Sequence, residues 1–162
     1  MKDLRSKIVS RADLPKIVKA LRKDNKKIVF TNGCFDILHL GHIRYLQQAK
    51  SLGDMLIVGL NNDASVRKLK GEERPIVPED ERLEVIAALE CVDYVTLFPE
   101  LTPENLIRII KPDIHVKGGD YRPEDLPEAA AVRESGGEVQ VLSFLPGRST
   151  TKLIEEITKR YG

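Results

Sequence analysis

Apolar and polar positions along this chain follow two periods, and the periods change places in a regular order. In residues 11–24, RADLPKIVKALRKD, the positions Leu14, Ile17, Val18 and Leu21 fall on one helical stripe. KKIVFT then reads as a short strand, and Ile43, Leu46 and Ala49 with neighbouring Tyr45 mark a second helix. GDMLIVGLN is a nearly continuous apolar run of strand length, the pattern of a strand buried on both faces of a parallel sheet. EDERLEVIAALE supplies a helix and VDYVTLF a strand. TPENLIRIIK opens with Thr102 in a capping-box-like position, continues as a helix and stops before Pro112. PDIHVKGGDY is a strand that breaks at paired glycines, and PEAAAVRESGG, EVQVLSF and STTKLIEEITKRY complete the alternation.

Strands and helices alternating at this spacing predict an α/β fold: a Rossmann-like open parallel sheet of about five strands with helices on both faces. A chain of 162 residues suits one domain, 1–162, with residues 1–24 as a helical extension packed on it. The loosest stretches are 67–80 and 118–127. In an open sheet, ligands bind outside the carboxyl ends of the strands where the strand order reverses. The first strand ends at TNGCFD, which places His39 and His42 near that crevice.

Composition removes several classes of function. Hydrophobic residues make up 41% and charged residues 31%, as in a globular protein. No apolar run is long enough to span a bilayer, and MKDLRSKIVSRADLP lacks the apolar segment of a secretion signal, so the expected location is the cytoplasm with no membrane partner. With 26 basic and 25 acidic side chains the formal charge is +1, and aromatic content is 5%. Neither a broad basic footprint nor a stacking platform for nucleic acid is present. Cys34 and Cys91 read as small buried residues of a reducing compartment.

Two of the chain's three histidines stand in GCFDILHLGH, at the start of the second helix. A helix N-terminus exposes unpaired N–H groups and a partial positive charge, which together receive anions. Gly41 removes a side chain that would stand between that backbone and a phosphate. His39 and His42 can each donate an imidazole N–H, and partial protonation near neutral pH would add positive charge. The alternative is that one histidine caps the helix while the other fills space. A zinc site is disfavoured, because metalloprotease histidines are four apart with a glutamate between them; no metal ligand set is expected.

GCFDILHLGH resembles the signature of the nucleotidyltransferase superfamily that shares a His-x-Gly-His motif with class I aminoacyl-tRNA synthetases, in its cytidylyltransferase-like branch. GDMLIVGLNNDASVRKLKG, RPIVPEDERLEVIAALECVDYV, KPDIHVKGGDY, GGEVQVL and STTKLI, in this order and spacing, resemble the adenylyltransferases of the ADP-heptose pathway. The resemblance implies transfer of AMP from ATP to D-glycero-D-manno-heptose 1-phosphate, with release of pyrophosphate. Rival reactions on the same scaffold are cytidylyl, guanylyl or adenylyl transfer to another phosphorylated acceptor, of the glycerol-phosphate, GDP-heptose or FMN type. A non-catalytic nucleotide-binding regulatory module is the rival of a different class. The resemblance also implies Mg²⁺ arriving with ATP and a homo-oligomer, expected as a dimer. In many bacteria the activity is half of a bifunctional enzyme; this chain resembles the stand-alone form, with a separate heptose-phosphate kinase as pathway partner.

Residue roles follow from the same resemblance. His39, His42 and Lys70 carry catalysis by holding and neutralising phosphates, Lys70 from a charged loop that it shares with Lys68. Thr31, Asn32, Gly33, Phe35, Gly41, Lys117, Gly118, Ser149, Thr150 and Thr151 bind nucleotide and phosphate. Asp36, Arg82, Asp120 and Arg148 face the substrate. Thr31 also reads as an ordinary strand residue and Asp36 as a turn organiser. Arg82 also reads as one half of a surface ion pair. Related glycerol-phosphate cytidylyltransferases carry an arginine where this chain has Phe144, and Arg148 is the candidate substitute. Asp63 reads as a helix cap before anything else, and His115, with apolar neighbours, reads as structural.

Overall fold

The computed structural model describes residues 3–162. Five parallel strands form one sheet: β1 (Ile28–Gly33), β2 (Met55–Asn61), β3 (Tyr94–Phe98), β4 (Ile114–Gly118) and β5 (Glu138–Leu142). Their order across the sheet is β3-β2-β1-β4-β5. The chain thus builds outward from β1 to β3 and then crosses back to start the other half at β4. The order reverses between β1 and β4, as the strand–helix alternation predicts for an open sheet with one ligand crevice.

Seven helices connect and flank the strands among the described residues: α1 (Leu14–Lys23), α2 (Leu40–Lys50), α3 (Asp63–Lys70), α4 (Glu79–Ala87), α5 (Glu104–Ile110), α6 (Ala129–Glu134) and α7 (Thr150–Tyr161). Successive strand residues point to opposite faces, so each strand feeds two cores. Val29, Leu56, Val58 and Val116 pack with Leu46 and Ala49 of α2 and Ile86 and Ala87 of α4. Ile28, Phe30 and Ile57 pack with Leu14, Val18 and Leu21 of α1, Leu106, Ile107 and Ile110 of α5, and Val132 of α6. Helices cover both faces, which is why β2 is almost wholly apolar and β1 is apolar from Ile28 to Phe30.

The N-terminal segment does more than supply α1. Ile8 bridges to Val95 in parallel fashion, and the Val9 amide donates to the Val95 carbonyl at 2.9 Å. This short pairing protects the outer edge of β3, which would otherwise offer unpaired backbone to other chains.

Three local expectations are corrected. Residues 67–70 are not loop: they form the last turns of α3, with Lys70 its final residue and Gly71 at φ 106° ending it. The cap of α3 is Asn62, whose side chain accepts from the Ser65 amide, whereas Asp63 is already helical. At α5 the N-cap is Pro103 and no side chain caps the helix, so Thr102 does not have the role its spacing predicts.

Candidate active site

A cleft of about 590 Å³ opens over the carboxyl ends of β1 and β4. Asn32, Gly33, Lys117 and Gly118 contribute the two strand ends; His39, Gly41 and His42 form the wall at the start of α2. Ser149, Thr150 and Thr151 bring in the start of α7, and Lys70 and Arg74 bring in the end of α3 and the segment after it. Four cations, Lys70, Arg74, Lys117 and Arg148, line the cleft, and no carboxylate does among the described residues. This is the composition of an anion site.

The histidines lock each other. His39 is the N-cap of α2, and its Nδ1 accepts from the Gly41 amide at 3.1 Å. His42 Nδ1 in turn accepts from the His39 amide at 3.3 Å, and the two ring centroids lie 3.9 Å apart. Because both Nδ1 atoms accept, each neutral ring carries its proton on Nε2 and can donate from there. Burial holds both imidazoles below their ordinary pKa, His42 at about 4 with help from the His39 charge, and His39 with help from Arg148. The expected partial protonation near neutral pH is therefore corrected for the free protein. The site offers two oriented neutral N–H donors beside the positive end of a helix. Capping, set against ligand reception in the sequence, uses the Nδ1 atoms and leaves both Nε2 atoms free to donate.

The turn between β1 and α2 is tightly built. Phe35 sits in the left-handed region at φ 47°, and its ring lies over Gly33, where an added Cβ would come within 2.9 Å. Asp36 is buried beneath the cleft rather than in it. Its carboxylate accepts from Arg74 Nε at 2.6 Å and from the amides of Ile76 and Val77. Burial alone would raise its pKa, but the Val77 and Ile76 amides and the Arg74 guanidinium outweigh it and hold the carboxyl below its ordinary range. Asp36 therefore has the organising role of its two sequence readings: it holds the segment after α3 and Arg74 beside the cleft.

Arg82 is likewise corrected. It is 1% exposed and spends its donors on the carbonyls of Val77, Cys34 and Asn61 and on the Asp63 carboxylate at 2.8 Å. Neither a substrate contact nor a surface pair describes it; it stitches α4 to the ends of β1 and β2. Thr31 is fully buried, donates to the Val116 carbonyl at 2.9 Å and meets the Tyr45 hydroxyl at 2.6 Å, so it ties β1 to β4 and α2. Asp120 is exposed and lies outside the cleft lining. His115 is structural, as read from its neighbours: fully buried, stacked on Phe30 and bonded to Glu128.

At α7, Ser149 Oγ accepts from the Lys152 amide, and Thr150 Oγ1 donates to the Ile37 carbonyl at 2.9 Å. Only the Thr151 hydroxyl is left without such a tie. Arg148 lines the cleft next to them, and Phe144 stands over Gly118, where an added Cβ would meet its ring at 2.5 Å. Asn61, at the end of β2, and Tyr121, after the paired glycines, also line the cleft, as their places at strand ends lead one to expect. Arg74, Tyr45, Phe144, Leu69, Leu101 and Leu145 join them without a local pattern that assigns them to the site, brought in by tertiary placement.

The fold and cleft define a nucleotide-handling α/β protein of nucleotidyltransferase type. Residues 30–156 match the family described as "Cytidylyltransferase-like", and the chain belongs to that family. It is 52% identical over 160 residues to the bifunctional protein HldE of Geobacter metallireducens, covering 99% of this chain and 33% of that protein. Against the bifunctional protein HldE of Nitratiruptor the identity is 55% over 141 residues, covering 87% of this chain and 30% of that one. The chain thus spans about a third of the length of the curated relatives it matches. Among solved structures, a lipopolysaccharide core biosynthesis protein from Thermoplasma volcanium is 35% identical with a TM-score of 0.60, covering 74% of this chain and 97% of that one. A pantoate-beta-alanine ligase from Francisella tularensis, at 18% identity, shares the fold with a TM-score of 0.58 and covers 94% of this chain and 76% of that one.

These relatives overturn one expectation. A separate kinase chain was the anticipated pathway partner, but the relatives are bifunctional proteins, in which the second function shares the polypeptide with the region matched here.

No group of three His, Cys, Asp or Glu residues is placed to hold a metal ion among the described residues. No helix of the described residues is long and apolar enough to cross a membrane.

Proposed function

We propose that the protein transfers AMP from ATP to D-glycero-D-manno-heptose 1-phosphate, giving ADP-heptose and pyrophosphate. The observation that carries this reading is the cleft itself: four cations, two oriented imidazole N–H donors and two helix N-termini converge where the strand order reverses, with no carboxylate among them. A sugar phosphate already bears its nucleophilic oxygen, so the protein needs no base or covalent nucleophile. Its task is to hold two anions together in line and to neutralise charge on the transferring group and on pyrophosphate. His39 and His42 serve the transferring phosphate from the start of α2. Lys70, Arg74, Lys117 and Arg148 serve the remaining phosphate charge. Asn32, Gly33 and Gly118 give the nucleotide close approach to backbone, and the start of α7 receives its phosphates. Mg²⁺, brought with ATP, supplies further charge neutralisation when bound. The choice of heptose 1-phosphate rests on kinship with the bifunctional HldE proteins and the lipopolysaccharide core biosynthesis protein. We further propose that the protein acts in the cytoplasm as a homo-oligomer.

Pyrophosphate release with product mass analysis tests the reading: ATP, CTP and GTP are each crossed with heptose 1-phosphate, glycerol 3-phosphate and FMN in the presence of Mg²⁺. Release with ATP and the heptose, and a product of ADP-heptose mass, is expected. Preference for another pair reassigns the substrate, and silence in all pairs sinks the enzymatic reading.

A further inference from the structure

Behind the wall that carries Lys117 lies a buried charged cluster that the phosphate site as described leaves without a task. Glu128, just before α6, is 2% exposed, an expensive place for a carboxylate unless it is paired. One of its oxygens, Oε1, meets His115 Nε2 at 3.1 Å and Lys117 Nζ at 3.6 Å. His115 and Lys117 are two residues apart on β4 and so share a face of the sheet, one deep and one at the strand end. The deep one is enclosed by packing: His115 is fully buried and stacked on Phe30 at a centroid distance of 5.5 Å. Burial works to raise the Glu128 pKa, but the His115 hydrogen bond and the Lys117 charge overcome it and pull the carboxyl down to about 2. A fixed negative charge therefore stands directly behind Lys117.

The arrangement has a direction. The Glu128 side chain is 2% exposed whereas that of Lys117 is 28% exposed and lines the cleft, so a ligand meets the ammonium first and the carboxylate lies behind it. A free lysine loses rotamer freedom when it is pinned against a phosphate. Pinning it beforehand removes that cost from binding. An ammonium has three donors, and an ion pair to one carboxylate oxygen leaves donors for a ligand. A tie that served only to dock α6 on β4 would be complete with the His115 bond alone.

We propose that Glu128 is a positioning residue of the phosphate site: it holds the Lys117 ammonium against the cleft wall with donors left for a nucleotide phosphate, and His115 fixes the carboxylate that does so. This rests on the reading of the cleft as a nucleoside triphosphate site.

A double-mutant cycle on ATP binding, measured by titration calorimetry with Mg²⁺, tests it. Lys117→Met is expected to weaken ATP about tenfold and Glu128→Gln about three- to tenfold. In the Lys117→Met background, Glu128→Gln is expected to change affinity no further, because its effect passes through the lysine. A second route, Glu128→Met with His115→Phe, removes carboxylate and donor together and leaves no buried group unpaired; it should weaken ATP as Glu128→Gln does and be masked in the same way. Unchanged ATP affinity in Glu128→Gln overturns the proposal, as does an equal loss in both backgrounds. Wild-type protein that binds ATP but shows no such coupling sinks this inference alone. Wild-type protein that binds no ATP sinks the site reading and this inference with it, whereas ATP binding without turnover on any acceptor sinks only the enzymatic reading.

Discussion

Arg82 shows how far a residue's neighbours can mislead about its task. Flanked by acidic residues in PEDERLEV it has the look of a surface arginine, yet it is 1% exposed with its guanidinium shared among three carbonyls and Asp63. Lysine cannot replace a planar fork that serves four acceptors. Arg82→Lys is expected to destabilise the fold by about 3 kcal/mol in urea unfolding, a loss typical of breaking a buried pair. A variant with unchanged stability and a raised KM would restore the substrate-contact role. His39 and His42 were legible by contrast, because three-residue spacing at a helix start sets both rings at one N-terminus whatever the rest of the chain does. Their protonation was not legible, since it follows from burial that the local sequence does not report.

The elements were read from period with caps and breakers, and the five strands and six of the seven helices match that alternation because each needs one or two apolar faces; α3 is the helix that the alternation did not include. What periodicity blurred were the ends. Residues 67–70 look like a charged loop, but Val66 packs into the core and carries the helix through to Lys70, which places that lysine at the cleft. The turn into β5 has an equally tertiary constraint. A Cβ at Gly137 would lie 2.2 Å from the Pro112 carbonyl oxygen, a backbone atom that cannot swing away. Gly137→Ala is expected to cost about 1–3 kcal/mol by urea unfolding, whereas Gly118→Ala, which meets side chains alone, the exposed Phe144 ring at 2.5 Å and the Tyr45 ring at 3.2 Å, should cost less. Reversal of that ranking would show that the Gly118 corner is the more rigid of the two. Helix α7 is the loosest element: none of its 12 residues is buried, and Ile157 and Tyr161 are 53% and 85% exposed. Its amides should exchange faster than those of α2, and ATP should slow those of its first turn. Exchange as slow as that of α2 would mean that its apolar stripe is covered in solution.

For the whole molecule the buried titratable groups set the response to acid. His42 has a folded pKa of about 4 against an ordinary 6.5, so between those values the unfolded chain binds a proton that the native chain refuses. Stability is therefore lost as pH falls from 6.5 to about 4, by about 1–3 kcal/mol. Glu128, at about 2 against an ordinary 4.5, continues the loss from 4.5 downward. Urea midpoints from pH 7.5 to 3 should fall in these two stages, and His42→Asn should flatten the first; a first stage that survives the substitution would exclude His42 as its origin. The sequence by itself determined the alternation of elements, the parallel sheet and the polar residues at strand ends and helix starts, because periodicity and capping act over a few residues. Only the tertiary structure decided which of those polar residues face the cleft. Asp36, Arg82, Thr31 and Glu128 lie behind its wall and Arg74 lies in front, and that division depends on strand order and on packing between separate elements up to 85 residues apart, beyond the reach of any local pattern.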